Sequence, residues 1–212
     1  MKAVTKRKLF ARQAKWFAWW HLLPLVAVLF LCSCVHTVQG TQGKRETSWA
    51  EPYQIEGVGN CFKLEEGLYR SEQPTKQGLV NLEKEGINNL LSLRFSPDNL
   101  LASGTMLRCH SVPMSAFRVD EEALVEALSV MVAARNRPLV VHCYHGADRT
   151  GLVCAAYRII VRGWPKEKAI DEMLHGGYGF HGLFMNIVGY LRKLKVEEIR
   201  RRLGLEPCII AE

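Results

Sequence analysis

A cysteine and an arginine separated by five residues, Cys143 and Arg149, stand where an apolar run gives way to a helical pattern. Residues 139–151 therefore predict a strand, a tight loop and a helix. Such a loop can turn its backbone N–H groups around a tetrahedral oxyanion, and the following helix adds partial positive charge. That potential favours the nucleophilic thiolate form of Cys143. Because the planar guanidinium of Arg149 can hold two oxygens of one phosphate, the segment predicts a nucleophile beside an anion site.

The other residues of this loop have predicted supporting roles. The phosphate is expected to be held by the amides of Tyr144, His145, Gly146, Ala147, Asp148 and Arg149 and by the Arg149 side chain. Thr150 could donate its hydroxyl to the sulfur of Cys143. His142 could orient the loop by hydrogen bonds from below, or it could be a satisfied core histidine. Since no second cluster has zinc-like spacing, we predict neither a metal nor a cofactor.

The loop resembles the signature of cysteine-based protein tyrosine phosphatases, and most of all that of their dual-specificity branch. Residues 67–74, 87–94 and 163–177 resemble further segments of bacterial members, and the likeness covers about residues 58–195. It implies a single α/β domain with a central, mostly parallel sheet flanked by helices. It also implies metal-independent hydrolysis of phosphate monoesters through a phosphocysteine intermediate on Cys143.

The proton donor to the leaving group has two candidates in this sequence. In the families that the loop resembles, a carboxylic acid upstream of the cysteine supplies that proton. Here the matching segment, residues 111–120, holds one carboxyl, that of Asp120, 23 positions before Cys143. In bacterial members the acid falls nearer Phe117, so this chain departs from the pattern. Asp120 could instead cap the following helix, and Asp148 inside the loop is the second candidate acid.

The side chains of the loop bear on the substrate class. Relatives with Lys or Arg in the loop act on inositol polyphosphates or phosphoinositides, whereas this loop carries Tyr144, His145 and Asp148 and no lysine. The resemblance therefore implies a phosphorylated protein as partner, with phosphotyrosine as the main substrate and dual specificity. An inositol-polyphosphate or phosphoinositide phosphatase is the alternative. A lipid-anchored protein that binds phosphate without turnover is a second alternative.

The pattern of the whole chain predicts the elements that position this loop. Helices are expected from Pro74 to Glu85, from Asp120 to Arg135, and from Thr150 to Arg162, with one long helix from Leu183 to Leu203. Strand-length apolar runs occupy residues 87–93 and 139–142, and residues 61–70 alternate like an edge strand or hairpin. Strands that alternate with helices predict a largely parallel sheet, with the cysteine at the C-terminal end of a central strand.

The first 35 residues predict an export signal or a membrane anchor. Residues 1–33 hold six basic and no acidic side chains, although the whole chain carries a formal charge of +7. The rest is thus nearly neutral, which argues against a nucleic-acid partner. A lipoprotein signal would be cleaved before Cys34 and lipidated there; an uncleaved anchor would use the 20 uncharged residues 16–35. Both place the catalytic domain outside the cytoplasm, in a bacterial periplasm or on its membrane.

The remaining boundaries and thiols complete the sequence prediction. Residues 36–57 are polar and are expected to form a tether before the catalytic domain, residues 58–195. Residues 196–212 are expected to form the end of the last helix and a tail. A bridge between Cys61 and Cys109 would be allowed in an oxidising compartment, but the sequence does not decide it.

Overall fold

The computed structural model describes residues 45–96 and 98–206, and the leader with its Cys34 lies outside them. The strands are β1 (Glu51–Pro52), β2 (Phe62–Glu65), β3 (Leu68–Ser71), β4 (Asn89–Ser92), β5 (Arg108–Ser111) and β6 (Leu139–His142). They form one sheet in the order β1-β2-β3-β6-β4-β5. Strands β3, β6, β4 and β5 run parallel, while β1, β2 and β3 pair antiparallel. The mostly parallel sheet expected from the sequence is confirmed.

Within residues 45–96 and 98–206, six helices flank this sheet. They are α1 (Lys76–Lys84), α2 (Glu121–Val132), α3 (Asp148–Ile160), α4 (Lys166–His175), α5 (Met185–Arg192) and α6 (Val196–Arg202). Short 3-10 turns cover Ala134–Asn136 and Gly182–Phe184. No helix among the described residues is long and apolar enough to cross a bilayer.

Strand β6 is the centre of the sheet and is buried on both faces. Leu139 and Val141 pack into the larger apolar cluster with helices α2 to α6, whereas Val140 packs into the smaller cluster with α1. Successive side chains of a strand point to opposite faces, so a strand between two helical layers must be apolar throughout. This explains the uninterrupted run before His142 and places Cys143 directly after the strand, at the C-terminal edge of the sheet.

The prediction of one long helix over residues 183–203 is wrong. The chain forms α5, breaks at residues 193–195 and resumes as α6. At the break, Lys166 donates from Nζ to the carbonyl oxygens of Arg192 and Leu194, at 2.9 and 2.8 Å. These bonds satisfy carbonyls that a continuous helix would have used itself. Leu194 is thereby turned into the core, at 5% exposed, and Ile199 of α6 is fully buried.

The structure also differs from the tether predicted for residues 36–57 in its last part. Trp49 and Ala50 are buried, and the N–H of Ala50 donates to Glu172 Oε1 at 2.7 Å. Strand β1 extends the sheet beyond β2. Residues 45–57 therefore pack on the domain, and α6, at the expected end of the last helix, packs on it as well. The polar composition of residues 36–57 hid the two apolar side chains that anchor it.

Candidate active site

The loop between β6 and α3 carries Cys143 at its start. We call residues 143–148 the cradle loop. Cys143 is 2% exposed and lies at the floor of the loop, whereas Tyr144 is 56% exposed and stands at its rim. The first turn of α3 begins at Asp148, so the helix N-terminus with its unpaired N–H groups lies next to the cysteine. A negative charge in this loop is thus stabilised by the end of the helix.

Three consecutive carbonyl groups of the cradle loop are held from outside. Tyr144 O accepts from the N–H of Gln73 at 3.1 Å, and His145 O accepts from Asn60 Nδ2 at 2.8 Å. Gly146 O accepts from Arg70 Nη2 at 2.7 Å. In a trans peptide the N–H points opposite to the C=O, so the N–H groups of the next residues face the inside of the loop. The three anchored carbonyls therefore turn the following amide N–H groups away from the outside partners, as a loop that holds an oxyanion requires.

Gly146 is required by both its conformation and its surroundings. Its φ is +69°, in the left-handed region that favours glycine. A Cβ at this position would lie 2.5 Å from the backbone carbon and oxygen of Ser71 and from the nitrogen of Glu72. Since those are backbone atoms of the neighbouring strand end, they cannot move aside cheaply. The turn that closes the cradle loop needs glycine here.

Arg149 lies in the first turn of α3 and is half-buried. Its Nη1 donates to the carbonyl oxygen of Leu93 at 3.1 Å. The N–H of Leu93 in turn donates to the carbonyl oxygen of His142 at 2.9 Å. The guanidinium of Arg149 is thus held near the C-terminal ends of β4 and β6. Its other N–H groups remain available as donors to a ligand.

His142 is fully buried and forms a pair with Asp98. Its Nε2 lies 2.9 Å from Asp98 Oδ2, and its Nδ1 lies 3.1 Å from the carbonyl oxygen of Cys143. Burial alone would raise the pKa of Asp98, but the hydrogen bond and charge of His142, with hydrogen bonds from Ser92 and Gln73, lower it. His142 is thus a buried residue that contacts the first carbonyl of the cradle loop, and its role in orienting the loop stays a prediction.

Thr150 is placed below the loop, but the predicted hydrogen bond is not formed. Its side chain is fully buried, and its Oγ1 has no hydrogen-bond partner among the described residues. A buried hydroxyl without a partner costs about 1–3 kcal/mol. The expected donation to the sulfur of Cys143 therefore stays a prediction for the ionised state of the thiol.

The two candidate acids differ in surroundings. Asp120 is exposed and is the N-cap of α2, where its Oδ1 accepts from the N–H of Glu122 at 3.1 Å. Asp148 is 7% exposed. Its Oδ1 accepts from the N–H of His181 at 2.9 Å, and its Oδ2 lies 2.8 Å from His181 Nδ1. The capping alternative is thus observed for Asp120, and its role as proton donor stays a prediction.

Three side chains near the cradle loop are close enough together to be considered as metal ligands. His145, Asp148 and His181 offer ligand atoms that all lie within 4.8 Å of one another. Both carboxylate oxygens of Asp148 are, however, already bonded to His181. We therefore assign Asp148 and His181 to hydrogen bonding with each other, and the ring of His145 to packing against Tyr144 and His181.

Known proteins share this architecture. A family model described as "Polymorphic toxin system, DSP-PTPase phosphatase" matches residues 65–163. The dual specificity protein phosphatase TpbA of Pseudomonas aeruginosa (strain PAO1) is 33% identical over 195 residues, covering 90% of this chain and 88% of TpbA. The chain belongs to the cysteine-based dual-specificity phosphatase family. The phosphatase is thus an enzyme of the kind that the resemblance of its loop implied.

Two further similarities concern ligands of the relatives. A P. aeruginosa TpbA variant with serine in place of a cysteine has been crystallised with phosphotyrosine; its TM-score is 0.68 at 32% identity, covering 76% of this chain and 98% of that chain. The inositol diphosphatase DSP1 of rice, Oryza sativa subsp. japonica, is 29% identical over 123 residues, 53% of this chain and 54% of DSP1. The likeness to TpbA thus covers far more of the phosphatase than the likeness to DSP1.

Sequence reasoning missed four residues that build this site: Asn60, Arg70, Asp98 and His181. Arg70 lies in a segment already compared with the family, residues 67–74, but a lone arginine in a strand gives no sign that it binds a distant carbonyl. Asn60 has a left-handed φ of +49°, a conformation that asparagine tolerates, so its residue type is the local signal that the sequence offers at this position. Asp98 pairs with His142 across 44 residues and His181 pairs with Asp148 across 33, so only the tertiary fold reveals them.

Proposed function

We propose that the phosphatase hydrolyses phosphotyrosine in proteins through a phosphocysteine on Cys143. The thiolate attacks phosphorus, the S–P bond forms as the P–O bond breaks, and water then releases phosphate. The inward amides of the cradle loop and the guanidinium of Arg149 hold the equatorial oxygens during both steps. The observation that carries this proposal is the outward anchoring of three successive carbonyls, those of Tyr144, His145 and Gly146.

An aromatic rim supports phosphotyrosine as the substrate. The rings of Tyr144 and His145 lie edge-on with centroids 4.7 Å apart, and Phe117 and Phe184 meet in the same way at 5.0 Å. His181 joins the two pairs, with centroids 5.3 Å from His145 and 6.4 Å from Phe184. The phenyl ring of a phosphotyrosine bound above the loop could make stacked and edge-to-face contacts with these rings. We define these five side chains as the aromatic rim.

The inositol-polyphosphate alternative has one specific support, the partial likeness to the rice inositol diphosphatase. The charge near the loop speaks against it. Asp148 places a buried carboxylate in the cradle loop, which offsets the charge of its partner His181. Among the described residues, the arginine against the rim is Arg94, whose guanidinium lies 5.4 Å from the ring centroid of Tyr144. Several phosphates on one ring would require additional cations there. The substrate that fits best carries one phosphate on an aromatic group.

Release of phosphate from matched substrates tests this proposal. We expect the purified protein, with chelator present, to hydrolyse a phosphotyrosine peptide at least about tenfold faster than the matched phosphoserine peptide or an inositol polyphosphate. Cys143→Ser should bind vanadate yet show no turnover, and rapid acid quenching of the parent enzyme should trap phosphate on Cys143. Preference for the inositol polyphosphate, or turnover by the serine variant, would overturn the proposal.

We further propose that the catalytic domain acts outside the cytoplasm. The support is in the leader, where six basic residues precede an uncharged stretch that ends near Cys34. Mass spectrometry of the protein purified from membranes distinguishes the two forms of attachment. A lipid mass on Cys34 as first residue indicates cleavage and lipidation, and retention of residues 1–33 indicates an anchor. An unmodified full-length protein in the soluble cytoplasmic fraction would contradict both.

A further inference from the structure

Asp148 and His181 form a pair at the mouth of the cradle loop. The carboxylate receives two hydrogen bonds from one residue, the backbone N–H of His181 at 2.9 Å and the ring Nδ1 at 2.8 Å. The side chain of Asp148 is 10% exposed and that of His181 is 49% exposed. The pair thus has a buried carboxylate and an imidazole that reaches solvent, and the double bond fixes the ring relative to the loop.

A lone carboxylate in this position would oppose substrate binding. A phosphate monoester brings negative charge into the loop, and a like charge nearby disfavours it. A protonated imidazole on the same carboxylate cancels that charge. Since the nitrogen Nδ1 is occupied by Asp148, the second ring nitrogen, Nε2, is the one left to exchange a proton with a ligand.

The contacts of His181 place its ring at the rim of the cradle loop. The ring lies against His145 of the cradle loop and against Phe184 of the 3-10 turn. Phe184 in turn contacts Phe117, which belongs to the segment that leads into α2. That segment therefore reaches the same rim, but it brings an apolar ring, while its carboxyl at Asp120 caps a helix. Among the described residues, the titratable groups shown against His181 are Asp148 and His145.

We propose that His181, oriented by Asp148, is the proton donor to the leaving group. As Cys143 forms the S–P bond and the P–O bond breaks, the proton on Nε2 passes to the departing oxygen. In the second step the neutral Nε2 takes a proton from the water that attacks the phosphocysteine, which restores the imidazolium and releases phosphate. His181 is thus a catalytic residue and Asp148 a positioning residue; both assignments rest on the proposed phosphocysteine function.

The dependence of rate on the leaving group tests this role. p-Nitrophenolate departs as a stable anion without a proton, whereas phenolate needs one. We expect His181→Gln to lower kcat/KM for phenyl phosphate about 100-fold and for p-nitrophenyl phosphate less than about threefold. Across a series of aryl phosphates, the plot of log kcat/KM against leaving-group pKa should be shallow in the parent enzyme and steep in the variant. Equal slopes would overturn the proposal.

Four further variants identify the donor. Asp148→Asn should steepen the plot of log kcat/KM against leaving-group pKa and alter the basic limb of the pH–rate profile, because it removes the carboxylate that orients the ring of His181. An unchanged pH–rate profile would contradict the positioning role of Asp148. His175→Gln is the matched control, since His175 pairs with Asp171 at 2.6 Å on exposed α4, and it should leave the slope unchanged. A steep plot in His145→Gln or Asp120→Asn, with a shallow one in His181→Gln, would assign the donor elsewhere.

The failure of this inference is distinguishable from failure of the proposed function. If Cys143→Ser keeps turnover, or if a chelator abolishes activity of the parent enzyme, the phosphocysteine mechanism itself is wrong. If the parent enzyme traps phosphate on Cys143 but His181→Gln keeps the parental slope, only the proton donor is wrong. Circular dichroism of each variant should match that of the parent enzyme, since His181 is half exposed.

Discussion

Arg70 lies fully buried beneath the cradle loop and donates from Nη2 to the carbonyl oxygen of Gly146 at 2.7 Å. Its guanidinium also stacks 3.6 Å from the ring centroid of Tyr178. The hydroxyl of Tyr178 donates to Glu172 Oε1 at 3.0 Å, and Arg158 pairs with the same carboxylate at 2.9 Å. A buried cation therefore supports the anion site from the side opposite the substrate, where water does not screen it.

Replacement of Arg70 should weaken phosphate binding more than folding. Arg70→Met removes both the charge and the donor to Gly146, so we expect the Kd of vanadate to rise about 10- to 100-fold. The Kd of vanadate for Arg70→Lys should lie between those of the parent enzyme and Arg70→Met, because lysine keeps the positive charge but lacks the planar guanidinium. Arg108→Met changes an exposed arginine of β5 and is the control. Unaltered vanadate affinity in folded Arg70→Met would contradict a supporting role.

Gly146 should tolerate no side chain. Gly146→Ala places a Cβ 2.5 Å from backbone atoms of Ser71 and Glu72, so the loop must shift. We expect kcat/KM to fall at least about 100-fold, because misplacement of about 1 Å has that cost in a preorganised site. Gly104→Ala is the matched control: its φ of +94° is also left-handed, but a Cβ there meets no atom within 4 Å. An equally active Gly146→Ala would refute the closing role of this turn.

The sequence predicted the parts of the site that are continuous in the chain. Strand β6 was predicted at its observed bounds, and the glycine, the cysteine and the arginine of the loop were identified because their order carries the chemistry. What was not predicted depends on contacts between distant segments. Asn60 and Arg70 hold the loop's carbonyls from the opposite side, and His181 meets Asp148 only through the turn after α4. No periodicity or spacing encodes such contacts.

The break between α5 and α6 was missed for a related reason. Residues 193–195, Lys-Leu-Lys, have neither the glycine nor the proline that would announce a helix end. The break is instead stabilised by Lys166, 28 residues before Leu194. A tertiary hydrogen bond here outweighs local helix propensity.

Thiol labelling should distinguish Cys143 from the two buried thiols whose pKa is raised. Burial raises the pKa of Cys61 and of Cys154 to about 11, so both are almost wholly protonated at neutral pH. We expect iodoacetate at pH 7 to modify Cys143 first, with vanadate protecting it, as read by peptide mass spectrometry. The urea-unfolded protein is the control, in which Cys61 and Cys154 should react as well. Labelling of Cys154 before Cys143 in the native enzyme would contradict this order.

Glu65 should make the stability of the domain depend on pH in acid. Burial raises its pKa, but hydrogen bonds from Arg162, Tyr157 and Arg137 outweigh this and hold the pKa at about 2. Arg137 Nη1 donates to Glu65 Oε1 at 2.8 Å, and Tyr157 donates to the same oxygen at 2.7 Å. The carboxylate thereby ties the end of β2 to α3 and to the segment that leads into β6.

The sign of the pH effect follows from that lowered pKa. The usual value is 4.5, so the stabilisation is present above about pH 4.5 and is lost as the pH falls towards 2. Allowing for solvent screening of the partly exposed cluster, we expect Glu65→Gln to lower the free energy of unfolding at pH 7 by about 1–2 kcal/mol. Urea titrations from pH 7 to pH 2 should show this difference between the two proteins shrinking below pH 4.5. Glu66→Gln, in an exposed pair with Lys63, is the control and should change stability by less than about 1 kcal/mol. A difference between parent and Glu65→Gln that persists unchanged to pH 2 would show that the carboxylate charge does not stabilise this junction.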